Sequence, residues 1–324
     1  MIAYERIMLT RRVHYIPYWI AVGAVLFAIE QVLIRALGES GFFWVRLLVA
    51  YGGLCGIVIT LIYMSRSFRA MMSELASVIE PPVADYGLWV EHKTQEIFSF
   101  THWAARLMSA LFVVGVTSTI LLAVLPFRSS ALNAVWIIGW QPFLIVSGHA
   151  AYSIIAGLDF LTQIVRYPVK VPFYRPNHPA IQSLSAFYSR AALVVLVFYI
   201  GLIAAVWTNP YGFTAPAVAW ILVTGFLPLS LFLWSFFQIH GLLRRIKQIN
   251  LDTVNQQVQV TLTLLQTTPS KENAEALAQI MDIQKKVEQE PEWPFTLEEI
   301  FTLIATAVAP ISQIVNFLLN KLHP

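Results

Sequence analysis

The sequence predicts an all-α, polytopic integral membrane protein, and three observations lead to this fold class. Charged residues make up only 12% of the chain and apolar residues 57%, whereas a soluble domain has about 25% charged residues. The apolar residues form separate runs of about 20 residues, the length at which a helix crosses the hydrocarbon core of a bilayer. Lysine and arginine residues cluster in alternate connections between these runs, as they do in membrane proteins with a fixed orientation.

Six of the runs qualify as transmembrane helices, and a seventh candidate lies near the C-terminus. The six predicted spans are 16–37, 42–64, 107–127, 134–158, 191–207 and 215–239. The first span follows a basic arm, but it is longer than the apolar part of a signal peptide, and no small-residue cleavage site follows it. We therefore expect it to be a retained span.

The basic residues predict which connections are cytoplasmic. Of the 21 Lys and Arg residues, 17 lie in the N-terminal arm, in the two long loops 65–106 and 159–190, or in the segment 240–295. The opposite side carries only Arg35, Arg46 and Arg128. By the positive-inside rule the N-terminus is cytoplasmic, and we expect the plasma membrane to be the location. A large extracellular ligand-binding domain is excluded because the connections on that side are short.

The segment 240–295 predicts a cytoplasmic helical hairpin. Apolar residues recur at helical spacing between Leu243 and Leu265. The sequence TTPSKEN then interrupts the pattern, with Ser270 as the predicted N-cap of a second amphipathic helix that continues to residue 289. Two functions are open for the hairpin: it packs only on itself and the loops, or it assembles copies of the chain, because so small a unit buries little surface alone.

No catalytic motif is present, so an enzyme is not predicted. The chain lacks Walker, G-x-G-x-x-G, G-x-S-x-G and H-E-x-x-H motifs. No metal site and no cofactor are predicted, because the seven histidines are dispersed. A haem between His149 and His240 is the one cofactor alternative, although such a histidine more often hydrogen-bonds a neighbouring helix. Nucleic-acid binding is not expected, because the basic residues lie at membrane edges. The single cysteine, Cys55, excludes an intrachain disulfide.

Two charges inside the first two spans form a candidate functional pair. Glu30 lies roughly 10 Å inside the outer end of the first span, at 1.5 Å per residue, and Arg46 enters the second span from the same side. Since a short turn joins the spans, we expect Glu30 and Arg46 to approach each other, with Gln31 or Arg35 nearby. Ionisable residues in spans are functional hypotheses by default. The pair either holds the two helices together or lines a polar path.

The seventh candidate span, residues 300–319, is uncharged and carries one polar face. Along it, positions recur at intervals of three and four residues, the helical period. These stripe positions are Glu299, Thr302, Thr306, Ala309, Gln313, Asn316 and Asn320. In a bilayer such a stripe must face protein or water. Three placements are open: packing against the other spans, lining a water-filled path in an oligomer, or lying at the cytoplasmic interface.

These patterns predict three regions and a membrane-embedded function. The regions are a six-span domain (1–239), the cytoplasmic hairpin (240–295) and a C-terminal amphipathic or seventh transmembrane helix (296–324). The layout resembles, in topology alone, that of insect odorant-receptor-type ion channels. We expect an oligomeric channel or pore whose last helix lines the path and whose hairpin assembles or gates it. The alternative is a non-conducting signalling or effector module that binds a cytoplasmic protein. Expected partners are membrane lipids and further copies of the chain, and in the alternative function that cytoplasmic protein.

Overall fold

The computed structural model of the chain describes residues 14–38, 47–80, 85–123, 130–168, 179–207 and 215–289. Regular structure within these ranges is helical, which confirms the all-α class. A π-helical turn, Leu47–Gly52, leads directly into the second α-helix. The α-helices are α1 (Tyr15–Ala36), α2 (Gly53–Leu75), α3 (Tyr86–Phe98), α4 (Trp103–Ala123), α5 (Ser130–Ile164), α6 (Pro179–Trp207), α7 (Ala215–Thr267) and α8 (Lys271–Glu288).

Four helical stretches among the described residues are long and apolar enough to cross a membrane. They are Tyr15–Ala36, Ala50–Leu75, Tyr86–Gly115 and Ser130–Ile164. These stretches contain or overlap the first four predicted spans, and they support a membrane protein. The predicted fifth and sixth spans, 191–207 and 215–239, lie inside α6 and α7, but whether they cross the membrane stays a prediction.

Small residues allow the helices to approach closely. A Cβ at Gly23 of α1 would lie 2.4 Å from the Cys55 sulfur in α2. A Cβ at Gly53 would lie 2.7 Å from the ring of Phe143 in α5. The thiol of Cys55 also donates to the carbonyl of Trp19 at 3.0 Å. These contacts lock α1, α2 and α5 together.

Both α3 and α4 lie along α5 and run antiparallel to it. Near the start of α3, the Trp89 ring lies 5.9 Å from that of Phe160, towards the end of α5. Further along, in α4, the Ser109 hydroxyl donates to the carbonyl of Ile145 at 2.9 Å. The chain therefore passes from α3 to α4 without reversing direction.

Among the described residues, the larger hydrophobic core extends from predicted spans into the two segments that the sequence predicted as long loops. Phe68, in the last turns of α2, is the centre of an aromatic cluster. Its ring lies 5.7 Å from Phe98, 5.0 Å from Phe160 and 5.8 Å from Phe187, with edge-on geometry that favours such pairs. Segments 65–106 and 159–190 are thus largely helical where they are described, because their apolar faces pack on one another.

The C-terminal half of α7 and helix α8 pack side by side in opposite directions. The cytoplasmic location of this hairpin stays a prediction. The Ser270 hydroxyl accepts from the Asn273 backbone N–H at 3.1 Å, which confirms Ser270 as the N-cap of α8. Near the other end of α8, the Lys247 ammonium of α7 donates to the carbonyl of Glu288 at 2.7 Å. Helix α7 is 53 residues long, about 80 Å at 1.5 Å per residue, so it extends well beyond the thickness of a bilayer. The helix continues without a break through residue 240, the predicted boundary between the six-span domain and the hairpin. The division of the chain into these two regions stays a prediction.

Candidate functional site

A helix break at residues 99–102 separates α3 from α4. The backbone of Ser99 is extended, with φ −92° and ψ 127°. Its hydroxyl accepts from the Thr101 backbone N–H at 3.3 Å and lies 2.7 Å from the Thr101 hydroxyl. Local bonds of this kind offer the backbone an alternative to helix. They explain why the helix stops within the sequence SFTH rather than continuing into α4.

Side chains from α5 supply hydrogen-bond partners at this break. His149 is 0% exposed, and its ring hydrogen-bonds the backbone of Phe98, which confirms that it serves a neighbouring helix. The Tyr152 hydroxyl donates to the carbonyl of Glu96 at 3.0 Å and lies 2.8 Å from Nδ1 of His102. The last carbonyls of a helix lack partners within it. The α5 side chains supply these partners from within the protein.

The Tyr152 contacts determine the tautomer of His102. A hydroxyl has one proton, and that of Tyr152 goes to Glu96. The phenol oxygen must then accept from His102, so Nδ1 of His102 carries its proton. The two rings also stack, with centroids 5.4 Å apart and planes 19° from parallel. The imidazole is therefore held in one orientation at the break.

An exposed tryptophan follows the break directly. Trp103 is 67% exposed, and its ring lies 6.2 Å from that of His102. Nearby, the Arg106 guanidinium donates to the carbonyl of Thr101 at 2.8 Å. Exposed tryptophan and arginine together are typical of the boundary between hydrocarbon and headgroups. The break is thus suited to the depth of the membrane interface.

A cleft of about 240 Å³ opens beside the break, between α3 and α5. The Lys93 ammonium lies 2.8 Å from the Glu96 carboxylate, and the Gln163 amide donates to Asp159 at 2.7 Å. Charged and polar groups thus stand beside apolar ones on its walls. The lining residues are Lys93, Glu96, Ile97, Tyr152, Ile155, Ala156, Asp159, Phe160 and Gln163. Its chemistry favours binding of a small charged group over bond making, because no nucleophile lies beside a base.

A second polar cluster joins α1 to the π-helical turn. Glu30 is 4% exposed, and its carboxylate accepts from the Tyr51 hydroxyl at 2.5 Å. The Phe27 ring packs edge-on against Tyr51 at 5.6 Å. Gln31 is 7% exposed, and its amide atoms have no hydrogen-bond partner in the described part of the chain. A π-helical turn is uncommon and frequently marks a functional site.

The other predicted site residues have different outcomes. Arg46 lies outside the described residues, so its pairing with Glu30 stays a prediction, while Arg35 is exposed. The polar stripe also lies outside them, comprising Glu299, Thr302, Thr306, Gln313, Asn316 and Asn320. Within the described ranges, no three His, Cys, Asp or Glu side chains assemble as metal ligands.

Three residues of these clusters were not predicted from the sequence. Tyr51 and Tyr152 are tyrosines in apolar runs, a pattern too common to single them out, and His102 lies in the polar sequence SFTH of the predicted loop 65–106. One signal was available, since Tyr152 lies three residues after His149 and therefore on the same helix face. Comparisons with protein-family models, curated proteins and solved structures gave no match.

Proposed function

We infer that the chain forms an oligomeric membrane channel or pore. The observation that supports this most is the Glu30 carboxylate, which is buried inside an apolar helix long enough to cross a membrane. An ionisable group at such a position is costly and often marks an ion or substrate pathway. Its neighbours Tyr51 and Gln31 add a hydroxyl and an amide to the same helix junction.

The proposed topology has six or seven spans with the N-terminus in the cytoplasm of a plasma-membrane protein. Its support is the distribution of the basic residues, 17 of 21 on one side. The hairpin then extends into the cytoplasm. The helix over residues 300–319 would place its polar stripe, including Gln313 and Asn316, along the conducting path.

The tip of the hairpin supports assembly of several copies. Between Asp252 and Lys271 the chain carries no charge, yet Val260 and Leu264 are exposed in the single chain. A solvated helix surface normally carries charges of both signs. An uncharged surface with exposed apolar side chains is more typical of one that a second copy covers.

Reconstitution into liposomes tests conduction. We expect ion flux from the purified protein, reduced by Gln313→Leu and unchanged by Gln248→Leu, a matched change at an exposed position of α7 outside the uncharged tip. Glu30→Gln should alter flux while the protein remains folded. An oligomer that is inserted and folded but carries no flux would refute the proposal, as would equal flux in the Gln313→Leu protein.

The alternative is a non-conducting membrane module that binds a cytoplasmic protein. The exposed Met281 on α8, together with Val260 and Leu264, favours this function if the hairpin meets a different chain. The two functions differ in the oligomer: a channel has a water-wide central axis bordered by Gln313 and Asn316. A structure of the assembled protein in lipid distinguishes them.

A further inference from the structure

The cleft between α3 and α5 holds a cation with unused donors. The Lys93 side chain is only 16% exposed, and its ammonium contacts one acceptor, Glu96, at 2.8 Å. An ammonium has three N–H donors, so two remain for groups inside the cleft. Glu96 matches its charge, as is usual for a lysine with so little exposure. A ligand with several acceptor oxygens, such as a phosphate, would use the two remaining donors.

The same cleft also holds an acceptor with spare capacity. One carboxylate oxygen of Asp159 accepts from Gln163 at 2.7 Å. The other oxygen has no donor among the residues that the structure describes. Asp159 is exposed on α5, where it can meet a ligand cation. The cleft lining has a second carboxylate, that of Glu96, which is paired with Lys93. Spare donors on Lys93 and a spare oxygen on Asp159 are then left for a ligand, a combination that complements a zwitterion.

The position of the cleft favours a lipid as the source of that zwitterion. Helix α5 has 35 residues, about 52 Å of helix against a hydrocarbon core of about 30 Å, so its ends reach the interface. Asp159 lies five residues before the end of α5, and Ile155 is half-exposed at the edge of the cleft. The exposed Trp103 lies beside His102, whose ring stacks on that of Tyr152 in the wall of the cleft. An acyl chain can run over Ile155 while its headgroup enters the cleft.

We propose that this cleft binds a phospholipid whose headgroup carries a primary ammonium, as in phosphatidylethanolamine. The phosphate accepts from Lys93, and the ammonium donates to Asp159. The cleft volume of about 240 Å³ is many times the roughly 10–15 Å³ that a single water needs by this kind of measure, so a headgroup can enter. Phosphatidylcholine has no N–H to donate, and phosphatidylglycerol has no cation. This site does not depend on ion conduction.

Native mass spectrometry of the purified full chain tests the proposal. The protein is equilibrated separately with phosphatidylethanolamine, phosphatidylcholine and phosphatidylglycerol. We expect at least about tenfold preference for phosphatidylethanolamine, because one hydrogen bond between charged groups contributes that much. Asp159→Asn should remove the preference over phosphatidylcholine. Lys93→Gln should lower retention of phosphatidylethanolamine, and Lys93→Arg should restore it.

Matched controls and a soluble competitor complete the experiment. Lys271→Gln and Asp252→Asn change the same residue types on the hairpin, where Lys271 is 91% exposed, and should leave lipid retention unchanged. Free phosphoethanolamine should compete weakly if the acyl chain contributes, whereas full competition would show that a soluble zwitterion is the ligand. Equal retention of the three lipids would overturn the proposal. So would an unchanged preference in Asp159→Asn, an exposed position where the substitution leaves the fold intact.

Discussion

Replacement of Gly148 by alanine tests the closest approach between α4 and α5. A Cβ at this position would lie 2.5 Å from the Cα of Ser109, 2.9 Å from its nitrogen and 2.8 Å from the carbonyl oxygen of Met108. All three are backbone atoms, so no side-chain rotation can relieve the contact. The two helices must move apart along the segment that carries His149.

The expected cost is about 1–3 kcal/mol of unfolding free energy. Overpacking a close contact costs about 1–3 kcal/mol. Separation also weakens the Ser109 hydrogen bond to Ile145, which is 2.9 Å long and contributes about 0.5–1.5 kcal/mol. Alanine regains up to about 1 kcal/mol through its higher helix propensity. The loss therefore exceeds the gain.

Equilibrium unfolding in mixed micelles, followed by tryptophan fluorescence, measures the change. Gly157→Ala is the matched control, because it lies in the same helix and a Cβ there would meet nothing within 4 Å. The control should be unchanged or up to about 1 kcal/mol more stable. If both variants unfold at the same denaturant concentration, α4 and α5 do not approach each other as closely as the structure shows.

Three further substitutions test the polar clusters and the hairpin. Tyr152→Phe removes the partner of the Glu96 carbonyl at the helix break and should lower the unfolding free energy by about 1–3 kcal/mol; an unchanged midpoint would show that the bond contributes nothing. Tyr51→Phe removes a donor from the buried carboxylate of Glu30 and should cost about 1.5–3 kcal/mol, again by equilibrium unfolding; equal stability would place the carboxylate in water instead. Ser270→Ala removes a helix cap at a cost of about 1 kcal/mol, seen as faster amide exchange in the first turn of α8 alone, whereas faster exchange throughout the protein would contradict a local effect.

Local sequence signals predicted the helices well. The hairpin is the clearest case, since Ser270 and the apolar periodicity of residues 243–265 placed the end of α7 and the start of α8 within a few residues. The cap depends on one side chain and the backbone three residues ahead, so it can be recognised without knowledge of the tertiary fold. The charge deficit likewise indicated a membrane protein before any helix was located.

The ends of the membrane helices were predicted less well. The second span was placed at 42–64, yet α2 continues to Leu75. Hydropathy alone ends a span where polar residues begin, here near Ser65 and Arg66. The helix continues because Phe68 and Met72 pack in a core that other segments supply. Such burial comes from residues distant in sequence, which a window along the chain does not contain.

For the candidate clusters too, the sequence indicated some residues and only the tertiary structure showed their partners. The sequence singled out Glu30 and His149, because an ionisable group inside a predicted span is conspicuous by itself. Only the tertiary structure decided that Tyr51 donates to Glu30, that the backbone of Phe98 meets His149, and that α3 stops at residue 98.

The sequence by itself determined the class of this protein, an all-helical chain with apolar helices long enough to cross a membrane, because composition and helical periodicity are local properties. The tertiary structure decided where the polar groups find partners and where a cleft opens between Lys93 and Asp159. These two residues are 66 positions apart in the chain. They line one cleft because the antiparallel packing of α3 on α5 brings them together, and that packing depends on the shapes of both helices at once.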